Sequence, residues 1–149
     1  LIELIVTVVI VGIFAAIAVP GFAGLIHRSN VRAGADELYN LLQYSRAEAV
    51  TRTTLVTVSA PGGSSASWTG DVTVTANTVL RRLGSAGLQS GTTVTTSVGS
   101  IVFSPTGTAS TNACFQVAYA TDASISPQYI SVQSSGRVTP PTSARPGGC

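Results

Sequence analysis

A chain of 149 residues has room for one domain plus an appendage, not for two full cores. Charged residues are only 9% of it and the net charge is +2, carried by eight arginines spread along the chain with no lysine, so no basic patch of the nucleic-acid-binding kind is expected. Two cysteines and one histidine are too few soft ligands for a structural zinc site, and neither a metal nor a cofactor is expected. Arginine-only usage is put down to the coding bias of the source genome. Hydrophobic residues make up 44%, with a large share in the first 26 positions. The rest is dominated by Ser, Thr, Gly, Ala and Val, which suits a weakly charged, β-rich head and is too apolar for disorder.

Residues 1–19 read LIELIVTVVIVGIFAAIAV, with Glu3 and Thr7 as the polar side chains. An apolar helix of about 20 residues spans the hydrocarbon core of a bilayer. A cleavable signal would show a basic start and a small-residue exit, both missing here, so the segment reads as retained. An ionised Glu3 in hydrocarbon costs several kcal/mol unless something offsets it. Either Glu3 lies at the membrane surface, or it neutralises a cation from a neighbouring subunit and sets the register of an assembly. Pro20 removes a helical hydrogen bond and Gly12 weakens the helix by about 1 kcal/mol relative to Ala. Residues 14–19, between them, are expected to melt when packed in a filament, and a simple kink at Pro20 is expected in a free chain.

His27, Arg28, Asn30 and Arg32 mark the exit into water. Val31, Ala35, Leu38, Leu42 and Ala49 then recur at helical spacing, widened by Leu41, and predict an amphipathic helix to about Arg52, with Glu48 and Arg52 as an i,i+4 pair. The whole helix would be roughly 78 Å long. His27 reads as an interfacial polar residue, since the sequence offers it no partners nearby. Beyond Thr53 the period becomes two, and strands are predicted at 55–58, 72–75, 92–98, 101–103, 114–119 and 128–133. Turns are expected at Pro61-Gly62-Gly63, Gly84, Gly91, Pro105 and Gly107. The long helix supplies the apolar face on which an antiparallel sheet closes, giving an α+β fold. Its parts are residues 1–26 as hydrophobic anchor, 27–52 as amphipathic helix and 53–149 as β-rich head with a C-terminal tail. Cys114 and Cys149 read as a disulfide stapling a Gly-Pro-rich tail, with two buried free thiols as the alternative; a bond would contribute roughly 2–4 kcal/mol.

LIELIVTVVIVGIFAAIAVPGF resembles the N-terminus of mature type IV pilins and type II secretion pseudopilins. In that family a prepilin peptidase removes a short leader, and the mature chain opens with a methylated Phe and a Thr ahead of LIEL. This sequence starts two residues later, through a missing pair or different processing. The head is similar to the GspH/FimT group of minor pilins and pseudopilins, on LLQYSRAEAVTR at the helix end, Trp68 with Gly70, VLRR at 79–82, IVFSPTG at 101–107 and YISVQSSGRV at 129–138. It departs from that pattern after Val138, where Thr139-Pro140-Pro141 leads into a tail ending at Cys149.

The resemblance implies a structural filament subunit, with Glu3, Gly12 and Pro20 serving assembly. Its partners would be further copies of itself, other pilins, the prepilin peptidase and an inner-membrane assembly machinery. It would sit in the bacterial inner membrane before assembly and in an extracellular pilus afterwards. Two alternatives are a secretion pseudopilin and a FimT-type minor pilin binding DNA through Arg137 and Arg145. Against the latter, Arg137 could simply close a turn by bonding backbone carbonyls. Arg81 and Arg82 form the adjacent basic pair. No catalytic residues are expected, since a Ser-His-Asp arrangement would have to use His27 at the membrane exit, and neither a P-loop nor a dinucleotide fingerprint is present.

Overall fold

A computed structural model describes residues 1–65, 68–83, 88–147 and 149, leaving out the side chains of Val19 and Pro20. One helix, α1, runs from Ile2 to Arg52. It is continuous through Pro20, and residues 14–19 are helical. Its end falls at Thr53, which turns left-handed (φ 52°) and gives its N–H to the Val50 carbonyl at 3.3 Å. A β-branched residue is strained in that conformation, so the helix stops without the usual glycine. In the last turn Glu48 and Arg52 form the expected ion pair.

Seven strands follow: β1 (Val56–Ser59), β2 (Thr73–Ala76), β3 (Thr78–Arg82), β4 (Thr92–Thr96), β5 (Ser100–Phe103), β6 (Ala113–Tyr119) and β7 (Gln128–Val132). They divide into two antiparallel sheets, one ordered β3-β2-β1-β5 and the other β4-β6-β7. The second half of α1 packs against β1, β2 and β5 of the first and β4, β6 and β7 of the second. Val31, Ala35, Leu38, Leu41, Leu42 and Ala49 are buried there, as their spacing predicts. Ser45 is buried among them, and its hydroxyl donates to the Leu41 carbonyl at 2.6 Å, offsetting the loss of water. Trp68 anchors the layer between helix and strands. It is fully buried, meets Phe115 edge-on at 4.7 Å, and donates its indole N–H to the Val98 carbonyl at 2.6 Å.

The head is antiparallel and α+β as expected, and three details differ from the sequence-based expectation. The sheet is split in two. Val98 lies beyond the end of β4. A further strand, β3, pairs at the sheet edge, where four of its five residues are exposed and leave no alternation to read. It is reached through Asn77 at φ 60°, a conformation that asparagine tolerates better than most residues. Gly91 and Gly107 take positive φ in the turns expected of them; the turn expected at Gly84 lies outside the described residues.

Candidate assembly surface

Among the described residues the first half of α1 has no packing partner. From Leu1 to Ile26 its large apolar side chains, among them Ile2, Leu4, Ile5, Ile13, Phe14 and Phe22, are exposed. The helix is long and apolar enough to cross a membrane, and none of its most apolar stretch is buried against the head. Thr7 closes its hydroxyl onto the Leu4 carbonyl at 2.9 Å, which lets a polar side chain sit in an apolar helix at little cost. Glu3 stands exposed, with no hydrogen-bond or ionic partner among the described residues. At Gly12, Gly21 and Gly24 an added side chain would meet no atom of the chain. All of this surface is available to another molecule or to lipid.

Where α1 meets the head, the fold gives His27 the partner that the sequence did not suggest. Its ring stacks on Tyr119 with centroids 4.0 Å apart, and Nδ1 lies 3.2 Å from Asp122 Oδ2. Tyr119 in turn lies over Gly91, where a Cβ would come within 2.5 Å of the phenol ring. The Asp122 carboxylate accepts from the Ser124 hydroxyl at 2.6 Å and its amide at 3.0 Å. The Ser124 hydroxyl first, then His27, then the Ser124 amide hold the Asp122 carboxyl below the usual carboxylate range. Serine, aspartate and histidine meet here in the wrong order for nucleophilic catalysis. The carboxylate lies between the other two, so the Ser124 proton goes to Asp122 and not to an imidazole base.

Two turns of the head converge on Arg46 of α1. Its Nε donates to the Gly107 carbonyl at 3.0 Å. Gly136, at φ 81°, backs onto the same carbonyl so closely that a Cβ there would fall 1.6 Å from the oxygen. Residues 43–46, 104–107 and 134–137, taken from three of the sequence stretches quoted above, therefore form one junction between helix, β5 turn and β7 turn. The carbonyl-binding role weighed for Arg137 belongs instead to Arg46. Arg137 is exposed and unpartnered among the described residues.

The other arginines of the head do not gather. Arg81 lies over the Tyr44 ring at 5.4 Å, and Arg82 pairs with Asp71 at 3.2 Å. Arg145 donates from both Nε and a terminal nitrogen to the Cys149 carbonyl. The tail first runs along β7, bridging Val132 with Val138 and Tyr129 with Thr142. It then crosses the outer face of the second sheet to Cys149, which is disulfide-bonded to Cys114 on β6 across a Cα separation of 5.3 Å. Among the described residues no His, Cys, Asp and Glu group could hold a metal ion.

An exposed apolar half-helix continuous with a helix-backed antiparallel head is the architecture of a pilin-like filament subunit. The family model for the type II transport protein GspH matches residues 34–136, and this chain belongs to that family. Members of this family and its fold neighbours are structural subunits rather than enzymes. The fold is similar to that of the type IV minor pilin FimU from Pseudomonas aeruginosa, at 21% identity and a TM-score of 0.68, covering 80% of this chain and 95% of that one. It is also similar to the minor pseudopilin EpsH of the Type 2 Secretion System of Vibrio cholerae, at 14% identity and a TM-score of 0.56, covering 74% and 94%. A comparison with curated proteins gives no match.

Proposed function

We propose that the chain is a structural subunit of a type IV pilus that polymerises through its N-terminal helix. The carrying observation is the unpartnered apolar half of α1, which leaves a row of large side chains exposed on a chain whose head is otherwise well packed. Residues 1–26 would lie in the inner membrane before assembly and in the filament core afterwards. Residues 27–52 carry the head, and residues 53–149 tile the outside. Burying each aliphatic side chain stabilises the assembly by about 1.5–3 kcal/mol, so helix bundling supplies the driving force. Glu3 would set register against a cation of the next subunit, and Gly12 with Pro20 would let residues 14–19 loosen on packing. Other copies, other pilins, a prepilin peptidase and the inner-membrane assembly machinery are the partners that this reading requires.

The test is mass spectrometry of filaments sheared from the cell surface, paired with electron microscopy of the same fraction. This chain is expected in the fibres, and its absence from fibres that are present would sink the pilus reading. A second reading, a secretion pseudopilin, is favoured by the type II transport description of the family. It predicts a short periplasmic stub and a secretion defect without surface fibres. DNA binding through Arg137 and Arg145 has weaker support, because Arg145 is engaged with Cys149. It predicts salt-sensitive binding that is lost in Arg137→Ala with Arg145→Ala.

A further inference from the structure

Among the eight arginines, five are engaged inside the chain: Arg46 with Gly107, Arg52 with Glu48, Arg81 with Tyr44, Arg82 with Asp71 and Arg145 with Cys149. Of the remaining three, Arg28 and Arg32 stand together, one turn apart on one face of α1 and just past the apolar half. They share an open recess with Ser126, on the β6–β7 connection, and Ser143, in the tail. Among the described residues neither guanidinium and neither hydroxyl has a partner. Three separate segments thus bring unsatisfied donors to one place. One acid is near: Asp36, a turn beyond Arg32, lines an adjoining recess together with Arg32 and Ser143, but among the described residues it forms no ion pair with Arg32. Asp122 is turned towards His27.

We propose that Arg28 and Arg32, with the hydroxyls of Ser126 and Ser143, bind the phosphate of an anionic phospholipid in the leaflet from which the head emerges. The site rests on the membrane-borne stage of the function proposed above. Depth supports it. From Glu3 to Arg28 the helix rises about 37 Å, against a hydrocarbon core of about 30 Å and a full bilayer of about 40–45 Å. With Glu3 in one headgroup layer, Arg28 reaches the other, and Arg32 stands one turn above it. Guanidinium groups match phosphate with paired N–H donors, and their stems lie along apolar surface while the heads stay in the polar layer. The hydroxyls add neutral donors from the head, so the lipid would tie the head to α1 and set its height above the membrane. A carboxylate of a second subunit is the competing occupant. It is the less favoured because the donors lie at headgroup depth.

The experiment places the full chain in nanodiscs of phosphatidylcholine containing a minority of phosphatidylglycerol and reads the lipids retained by native mass spectrometry. Phosphatidylglycerol is expected to be retained roughly thirtyfold more readily than phosphatidylcholine, the effect of two cations at an anionic surface. Enrichment should vanish in the Arg28→Gln, Arg32→Gln double variant and persist in Arg137→Gln. An unchanged thermal transition of the head shows that the double variant is folded. Enrichment that survives in that folded variant overturns the proposal, and if the variant also fails to enter filaments, the arginines pair with a neighbouring subunit instead. Inorganic phosphate that binds the detergent-solubilised chain as tightly as the lipid does would overturn the lipid as the source. Insertion is read separately by flotation: a chain that stays out of the discs refutes the membrane stage itself, and the proposal with it.

Discussion

The two halves of α1 are one element in two solvents. Before Ile26 the helix is apolar nearly all round and its described large apolar side chains are exposed; after Val31 it is apolar on one stripe and buried against two sheets. Apart from the donor that Pro20 lacks, both halves are α-helical, so the difference lies mainly in how side chains are distributed around the axis. A stripe is what a helix needs to close a domain, whereas a full coat can be satisfied only by lipid or by other helices. Burial in the head is settled within one chain. Burial of the coat needs something outside the chain.

The sharpest way to break this comparison is to delete equal volumes from the two halves. Leu38→Ala should lower head stability by about 2–5 kcal/mol, because Leu38 is fully enclosed. Ile10→Ala should leave the head's thermal transition in detergent unchanged, and an equal loss from both would mean that the halves are not separate. A slightly smaller effect is expected at the Arg46 junction. Gly136→Ala forces a side chain into a left-handed residue and against the Gly107 carbonyl, and should cost at least about 2 kcal/mol in the same melt. Arg46→Ala should cost about 1.5–3 kcal/mol through the lost charged hydrogen bond. Near-neutrality of both variants would dismiss the junction as a support of the head.

The smallest effect sharpens the boundary between the halves. Asp122 has a lowered pKa, so its contribution is present above the ordinary carboxylate value of about 4 and is lost as pH falls through the lowered one. The His27 contact should therefore open only below the ordinary carboxylate range, followed by the Asp122 carboxyl carbon shift in an NMR titration. Asp122→Asn should remove this step from the head's acid unfolding. A midpoint at or above the ordinary value would mean that the bonds from Ser124 and His27 do not form.

Much of this was legible in the sequence, and the reasons it stopped are physical. The stripe from Val31 to Ala49 can be read because helical periodicity is a property of near neighbours, and the same holds for β1, β4, β6 and β7, where buried residues recur at every second position. β3 could not be read, since its exposed edge residues carry no pattern. The split into two sheets depends on which strands pair, and nothing local encodes that. The contacts of His27 with Asp122 and of Arg46 with Gly107 span 95 and 61 positions. Their signals are an ordinary histidine and an ordinary glycine until the chain has folded. The recess at Arg28 and Arg32 depends on the tail's path, which follows no local period.

The Cys114–Cys149 bond, described above as holding the tail across the second sheet, also limits how far the chain can be drawn out. Between the two sulfurs lie β7, both of its flanking turns and the whole tail, a sequence separation of 35. Extended, that stretch would measure roughly 120 Å. If load on a surface fibre unravels the head, this length cannot be released while the bond is intact. An oxidised head should therefore lengthen by about that much less under force than a reduced one.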